Sequence, residues 1–569
     1  MSLPRGYRVA QEDAATPRHA RGRSEADCYT LVALRRRVFC LWTASSRVPE
    51  LEDQVRALLS VADRNGIAPL ARDLLSLDVE LFATDGTREH LTAEGVDVTP
   101  VGDLTSIPSL LGGQVKTFHP AIYAGILARR DRPEELAELA QQEIGLLDLV
   151  VVNVRPFAPQ VGARLLPLED VIDMIDVGGV ALLSAAARNF AGVTAVCDPA
   201  RYRDVIADIR SRGIVSAELR ERLAAEAFAM VAAYNAEVAA YLNHVSGVRF
   251  PEHLTLVLEK KTDLEYGENP HQRAAFYRET THRQGSLADA TQVHGPPPSF
   301  NDLLAMDAAY RIVSDFAAPA VCMTKGITPV ALASRDDLCD AYRRALDGDP
   351  VATGGSIVAA NRAIDAATAN ALLGNQYEGV VAPGFDEAAL AILSRKEDLR
   401  LLRVPPAPGF GMSDYGMANL DFRRIGGGVL VETFDRLDPD RQQMQVVTQR
   451  RPTLEELTDL LFAWRAVKHV PSNAVVLARN MAIVGVGAGQ TSRMSAVEIA
   501  LHKAADRAKL SCMGCDAYFP FADAIQLAAE RGVTAIIQPG GSSRDEMSIE
   551  VADRHHMAMV FTGRRHFRR

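Results

Sequence analysis

Short apolar runs, each followed by an amphipathic stretch, recur along this chain. Residues 146–157 read LLDLVVVNVRPF, residues 193–198 VTAVCD and residues 79–87 VELFATDGT. A run that is apolar at consecutive positions must be covered on both faces, as a parallel strand between two helical layers is. Residues 54–87 give a strand, then a helix, then the strand VELFATDGT, which ends in a Thr/Gly turn. Such alternation predicts doubly wound α/β units that hold ligands at the C-terminal ends of their strands.

With 569 residues the chain exceeds a single core, so two to four domains are expected from length. The Ala-rich amphipathic stretch over residues 221–245 predicts a long helix closing the first unit. Residues 246–263 read as a polar linker, and a second α/β region follows from residue 264; no internal repeat is visible. The expected division is a poorly ordered extension over 1–48, a first domain over 49–250 and a second over 251–569. The extension is Arg-rich but broken by acidic residues, with no apolar segment and cleavage site of a signal peptide. Lys and Arg number 62 against 72 Asp and Glu, a net charge of −10 that argues against a nucleic-acid partner. No apolar run reaches the roughly 18 residues that span a bilayer, so no membrane partner is expected. Seven scattered cysteines make no disulfide framework, and a reducing cytoplasm is the expected compartment.

One stretch poses a chemical question. VCMTKGITPVALAS (residues 321–334) ends an apolar run with Lys325, then turns at Gly326. Burying an ammonium without a partner is costly, so Lys325 either snorkels to water or serves a site. Locally, Gly326 reads as a turn glycine. Cys512 and Cys515 invite a zinc reading, but no second pair at ligand spacing accompanies them, so no metal is expected. His119, before Pro120, reads equally as a turn residue or a catalyst, and the terminal GRRHFRR as a solvated basic tail.

Other motifs accumulate in order: LGGQVKTFHP, GILARRD, IDVGGVALLSAAARN, YGENPHQ, VVAPGF, PSNAVVLARN, GVGAGQTSR, DAYFPFADA, IIQPGGSSRDE and VFTGRRHF. Together they resemble the bifunctional purine-biosynthesis family that joins AICAR (aminoimidazole carboxamide ribonucleotide) transformylase to IMP cyclohydrolase. The resemblance implies a methylglyoxal-synthase-like first domain. It implies a transformylase domain of two cytidine-deaminase-like units without zinc, and a homodimer with interfacial active sites. The implied reaction moves a formyl group from 10-formyltetrahydrofolate to the amino group of AICAR. Ring closure to an IMP-like nucleotide would follow.

The family positions carry over residue by residue. Lys325 and Asn473 match transformylase catalytic residues, and Lys116 and Asp176 their cyclohydrolase counterparts. Tyr266, Asn301, Gly355, Arg493, Tyr518, Asp523, Ser542 and Arg565 match nucleotide- or folate-binding positions. Thr84, Gly86, Thr87, Thr117 and Asn153 match binding positions in the first domain. Six positions depart from the pattern. Gly326 replaces a histidine beside the lysine, and Glu265 an arginine. Asp85 replaces a phosphate-loop glycine, adding bulk and the wrong sign. Arg155 replaces a tyrosine, Arg188 a lysine, and Arg64 lies in SVADRNG against SVSDKTG. An arginine keeps charge but does not exchange protons near neutrality. These departures leave two alternatives beside the family reaction. One is a paralogue retuned for another amino-heterocycle nucleotide, such as an aminopyrazole carboxamide, in a specialised nucleoside pathway. The other is a catalytically impaired nucleotide-binding homologue. His271, His294 and His469 are the candidates to replace the missing base.

Overall fold

The computed structural model describes residues 54–157, 168–280, 285–405, 420–435 and 444–569; the expected extension 1–48 lies outside them. The chain forms two compact units: residues through Arg155 with Asp176–Val231, and Pro156–Ile175 with Ala232–Arg569.

The first unit holds a five-stranded parallel sheet. Its strands are β1 (Arg56–Val61), β2 (Glu80–Ala83), β3 (Thr99–Pro100), β4 (Leu149–Asn153) and β5 (Thr194–Val196), in the order β3-β2-β1-β4-β5. The wholly apolar runs are its central strands: every residue of β4 is buried, as expected for a sheet covered on both faces. Because the order reverses beside β1, the C-terminal ends of β1 and β4 flank the crevice of a doubly wound sheet. One expectation needs correcting. The strand in VELFATDGT stops at Ala83, and the polar TDGT starts a helix, Asp85–Ala93, with Thr84 as its N-cap. A Thr-Asp pair after an apolar run is an N-terminal helix signal as much as a turn.

The long helix runs Ala217–Val245. The stretch expected as linker ends in strand instead: Leu258–Leu264 pairs antiparallel with Ala274–Glu279.

The rest of the second unit is built twice over, as a twelve-stranded sheet. Thr291–His294 leads into helix Phe300–Ser314, then the hairpin Ala320–Lys325 and Thr328–Ser334. Three helix–strand steps follow, ending on strands Ser356–Ala360, Tyr377–Ala382 and Arg400–Arg403. Residues 445–561 repeat this order: Gln445–Val446, helix Leu454–Val467, hairpin Val475–Arg479 and Ala482–Gly487, then strands Cys512–Cys515, Ala535–Gln538 and Ala558–Phe561. The halves meet where Thr328–Ser334 pairs antiparallel with Ala482–Gly487. No repeat was expected from the residues, because it lies in the order of elements. One face of the whole sheet shares a single core that includes Trp464 and Ile312. The other face carries a separate core on each repeat.

The repeats are also tied at equivalent helix ends. Asp315 caps the C-terminus of Phe300–Ser314, and Lys468 that of Leu454–Val467. Lys468 Nζ and His469 Nε2 each approach the same Asp315 oxygen, at 2.6 Å. A carboxylate at a helix C-terminus is unfavourable by itself, and these partners offset that. Burial raises the Asp315 carboxyl pKa, but the hydrogen bond from His469 and the Lys468 ammonium outweigh it and hold it at about 2, while burial lowers the His469 imidazole's own pKa and disfavours a charge there.

Candidate functional sites

In the first unit the expected residues gather at the strand ends. Thr84 and Thr87 are buried. Thr87 Oγ1 accepts from Val61 N at 2.9 Å, which pins the start of helix Asp85–Ala93 to the end of β1. Asn153, at the end of β4, accepts from the amides of Ala62 (2.6 Å) and Asp63 (2.8 Å) and donates to Asp63 O. Its amide therefore shapes the loop after β1, the loop that carries Arg64. Asp85 is exposed at the first helical position, where the helix dipole favours a carboxylate. A Cβ placed on Gly86 would lie 3.7 Å from Arg64 Nη2, so a guanidinium stands over the same turn.

Across the crevice, Asp176 caps helix Val177–Arg188 by accepting from Gly179 N at 2.8 Å. Thr117 is buried, with its hydroxyl 3.4 Å from where a Cβ on Gly178 would sit. Lys116 and Thr117 follow a tight loop closed by Leu110–Val115 backbone pairing. His119 accepts from Ala121 N and caps helix Pro120–Leu127. Arg155 and Arg188 are exposed, Arg188 in the last turn of its helix.

The second unit carries two clusters, one on each repeat. In the first, Lys325 ends its strand exposed, while the five residues before it are buried. Thr324 Oγ1 bonds Ala305 O at 3.2 Å, which sets the first turns of helix Phe300–Ser314 beside the strand end. That helix starts with a capping box between Ser299 and Asp302, the sequence SFND. Asn301 Nδ2 donates to Glu268 O, which brings the turn after Glu265 and Tyr266 against the same helix start. Gly326 has φ +53°, so the turn itself accounts for a glycine, and a Cβ there would meet nothing within 4 Å. Gly355 has φ +66°, and a Cβ on it would lie 3.4 Å from Lys325 Nζ. The lysine thus reaches over the Gly355 backbone.

The second cluster surrounds Asp516, a fully buried carboxylate that pattern reasoning missed. Arg493 pairs with it and also donates to Tyr518 O at 3.1 Å. Ser472 donates to its other oxygen. Asn473 donates to Gln490 O at 2.7 Å. The C-terminal segment folds over these groups: His566 N donates to Asp516 O, and Trp464 packs on the His566 ring at 4.6 Å between centroids. Arg565 lies over the Phe567 ring at 4.4 Å and Arg493 approaches it at 6.0 Å. The tail expected to be solvated is therefore partly structural. Asp523 opens helix Asp523–Glu530. Ser542 lies in a loop whose amides, from Gly541 and Ser542, donate to Asp545. A lone acid after the apolar run CMGC was the one signal for Asp516.

Two of the three replacement-base candidates are engaged in hydrogen bonds. His469 bonds Asp315, and His294 Nε2 bonds Lys396 O at 3.0 Å. His271 is exposed in the turn after Tyr266. Cys512 and Cys515 face opposite sides of their strand and enter different cores, so they cannot share a metal.

Comparison with known proteins adds the following. The family described as "AICARFT/IMPCHase bienzyme" matches residues 186–503, and an "MGS-like domain" matches residues 66–181. The Bifunctional purine biosynthesis protein PurH of Halalkalibacterium halodurans is 44% identical over 513 residues, covering 90% of this chain and 99% of that protein. Its namesake from Bacillus subtilis is 42% identical over the same shares. A solved chain titled "Crystal structure of ForH" is 39% identical, with a TM-score of 0.30, and covers 33% of this chain and 98% of that one.

Proposed function

The chain belongs to the AICARFT/IMPCHase bienzyme family, and from that premise we propose how its residues divide the work. It is a formyltransferase: a formyl group passes from 10-formyltetrahydrofolate to the amino group of AICAR. The acceptor amine is conjugated with its ring and is a weak nucleophile. The site must hold the two substrates together, stabilise the oxyanion that forms at the formyl carbon, and take a proton from the attacking nitrogen. Lys325, reaching over Gly355, supplies the cation for the oxyanion. Asn473 orients the reacting groups, while Arg493, Arg565 and Tyr518 line the nucleotide and folate pocket with Asp523, Ser542, Tyr266 and Asn301. Arg493 does so from a fixed position, since Asp516 holds its guanidinium.

Residues 251–569 form the transformylase half and 49–250 the cyclohydrolase half on this reading. Thr117 and Asp176 stand at the N-terminus of helix Val177–Arg188, where anions are favoured, and with Lys116 they serve ring closure. Thr84, Gly86 and Thr87 hold the phosphate, with the Arg64 guanidinium offsetting Asp85.

The working form is a homodimer in the cytoplasm. The Lys325 cluster and the Asp516 cluster sit on different repeats, each with part of the required groups, and a second copy would complete each site. The hairpin Leu420–Ile425 with Gly428–Thr433 exposes Ile425, Val429 and Leu430, apolar surface that a second copy would cover. Among the described residues, five buried free cysteines suit a reducing compartment.

The observation carrying the formyltransferase assignment to residues is Lys325 poised over Gly355 in a chain aligned with its relatives nearly end to end. Lys325→Ala should lower kcat for tetrahydrofolate release by about 10²–10³-fold while AICAR still binds. A kcat within about threefold of the parent would remove Lys325 from catalysis.

A further inference from the structure

The transfer needs a proton acceptor, and with Gly326 in place of the family histidine the nearest base to Lys325 must come from elsewhere. We propose that Glu378 is that base: its carboxylate, set out of the sheet by a β-bulge, takes the proton from the acceptor amine. The bulge is visible in the register. Ser356 pairs with Tyr377 and Ile357 with Gly379, so Glu378 is an extra residue with no partner on the neighbouring strand. A bulge re-aims the side chain it inserts, and bulges concentrate beside active sites. Glu378 is accordingly exposed, between buried Tyr377 and buried Gly379.

The side chain is aimed at the lysine's own position. A Cβ on Gly355 would lie 3.4 Å from Lys325 Nζ and 4.0 Å from Glu378 Oε1, so the two groups converge on one bare stretch of backbone. Gly355 N also donates to Gln376 O at 2.8 Å, fixing that turn against the strand that carries Glu378. Glu378 and Lys325 form no direct ion pair, which leaves room between them for the reacting atoms. Arg400, paired with Asp302 at 3.2 Å, anchors the next strand against the start of helix Phe300–Ser314.

The step balances. The amine nitrogen attacks the formyl carbon, and its bond forms as the carbonyl electrons move to oxygen, opposite the Lys325 ammonium. The nitrogen's proton passes to the Glu378 carboxylate. Collapse of the oxyanion breaks the bond to N10 of the folate, and the Glu378 carboxylic acid returns the proton to that nitrogen. Tetrahydrofolate leaves with no net change at Glu378 or Lys325.

The inference rests on the formyl-transfer reading, so the experiment first confirms AICAR turnover by the full-length parent chain. Glu378→Gln should then lower kcat by about 10²-fold or more, abolish the acid limb of the kcat–pH profile, and leave the AICAR Kd within about threefold. In Glu378→Ala, added acetate should restore part of the rate. Unchanged kcat, an acid limb that persists in Glu378→Gln, or a loss confined to AICAR affinity would each overturn the proposal. A parent chain inactive on AICAR would instead contradict the transfer reading itself.

Discussion

Lys325 shows how far a single residue can be read from sequence. An ammonium ending an apolar run either snorkels to water or serves a site, and in the fold it is exposed, with Nζ over Gly355. Gly326 is a turn glycine by its positive φ, and its open surroundings admit a larger side chain. Gly326→His should therefore fold with a loss of about 1 kcal/mol, the cost of a left-handed non-glycine residue, measured by denaturant unfolding. In the Glu378→Gln background the new imidazole should recover part of the rate. Glu378 itself escaped sequence reasoning because a bulge is a matter of pairing register, although an acid between Tyr377 and Gly379 in a buried strand was its trace. At Asp315 the direction of pH dependence follows from its low carboxyl pKa, about 2 in the fold against about 3.9 when unfolded. Its stabilising contribution is complete above the unfolded value and is lost as pH falls through the folded one. Asp315→Asn should cost about 2 kcal/mol at neutral pH and progressively less toward pH 2, followed by urea unfolding.

Elements were legible where one face or both faces are apolar. The strand in LLDLVVVNVRPF was expected as such, and AIIQ and the helix start SFND obey the same burial and capping rules. TDGT was misread because Thr and Asp serve turns and helix caps equally. Another capping box, Thr453 with Glu456, is reinforced by Arg450, whose guanidinium reaches both Glu456 oxygens at 2.6 and 2.9 Å. Thr453→Ala should lower stability by about 1 kcal/mol, read as a shift in urea midpoint. Gly487 marks a close approach of strand Ala482–Gly487 to helix Arg493–Ala504: an added Cβ would collide with the Ala496 carbonyl. Gly487→Ala should cost about 3 kcal/mol, because backbone rather than a flexible side chain must yield.

At the scale of the whole molecule, the family was legible from motif order, and the duplicated sheet only through that resemblance, which implied two like units, because the residues themselves show no repeat. Two repeats can share an order of elements while their residues diverge, provided each position keeps its burial. The same scale sets the functional claim, two reactions in sequence on one chain. On the proposed division, Lys116 and Asp176 lie in the unit assigned to ring closure, and Lys325 in the unit assigned to formyl transfer. The most direct measurement incubates the purified chain with AICAR and 10-formyltetrahydrofolate and resolves the nucleotides by chromatography. The parent should yield IMP, Lys116→Ala should stop at the formylated nucleotide, and Lys325→Ala should leave AICAR unconsumed. Parent chain that forms no formylated nucleotide from AICAR would contradict the account.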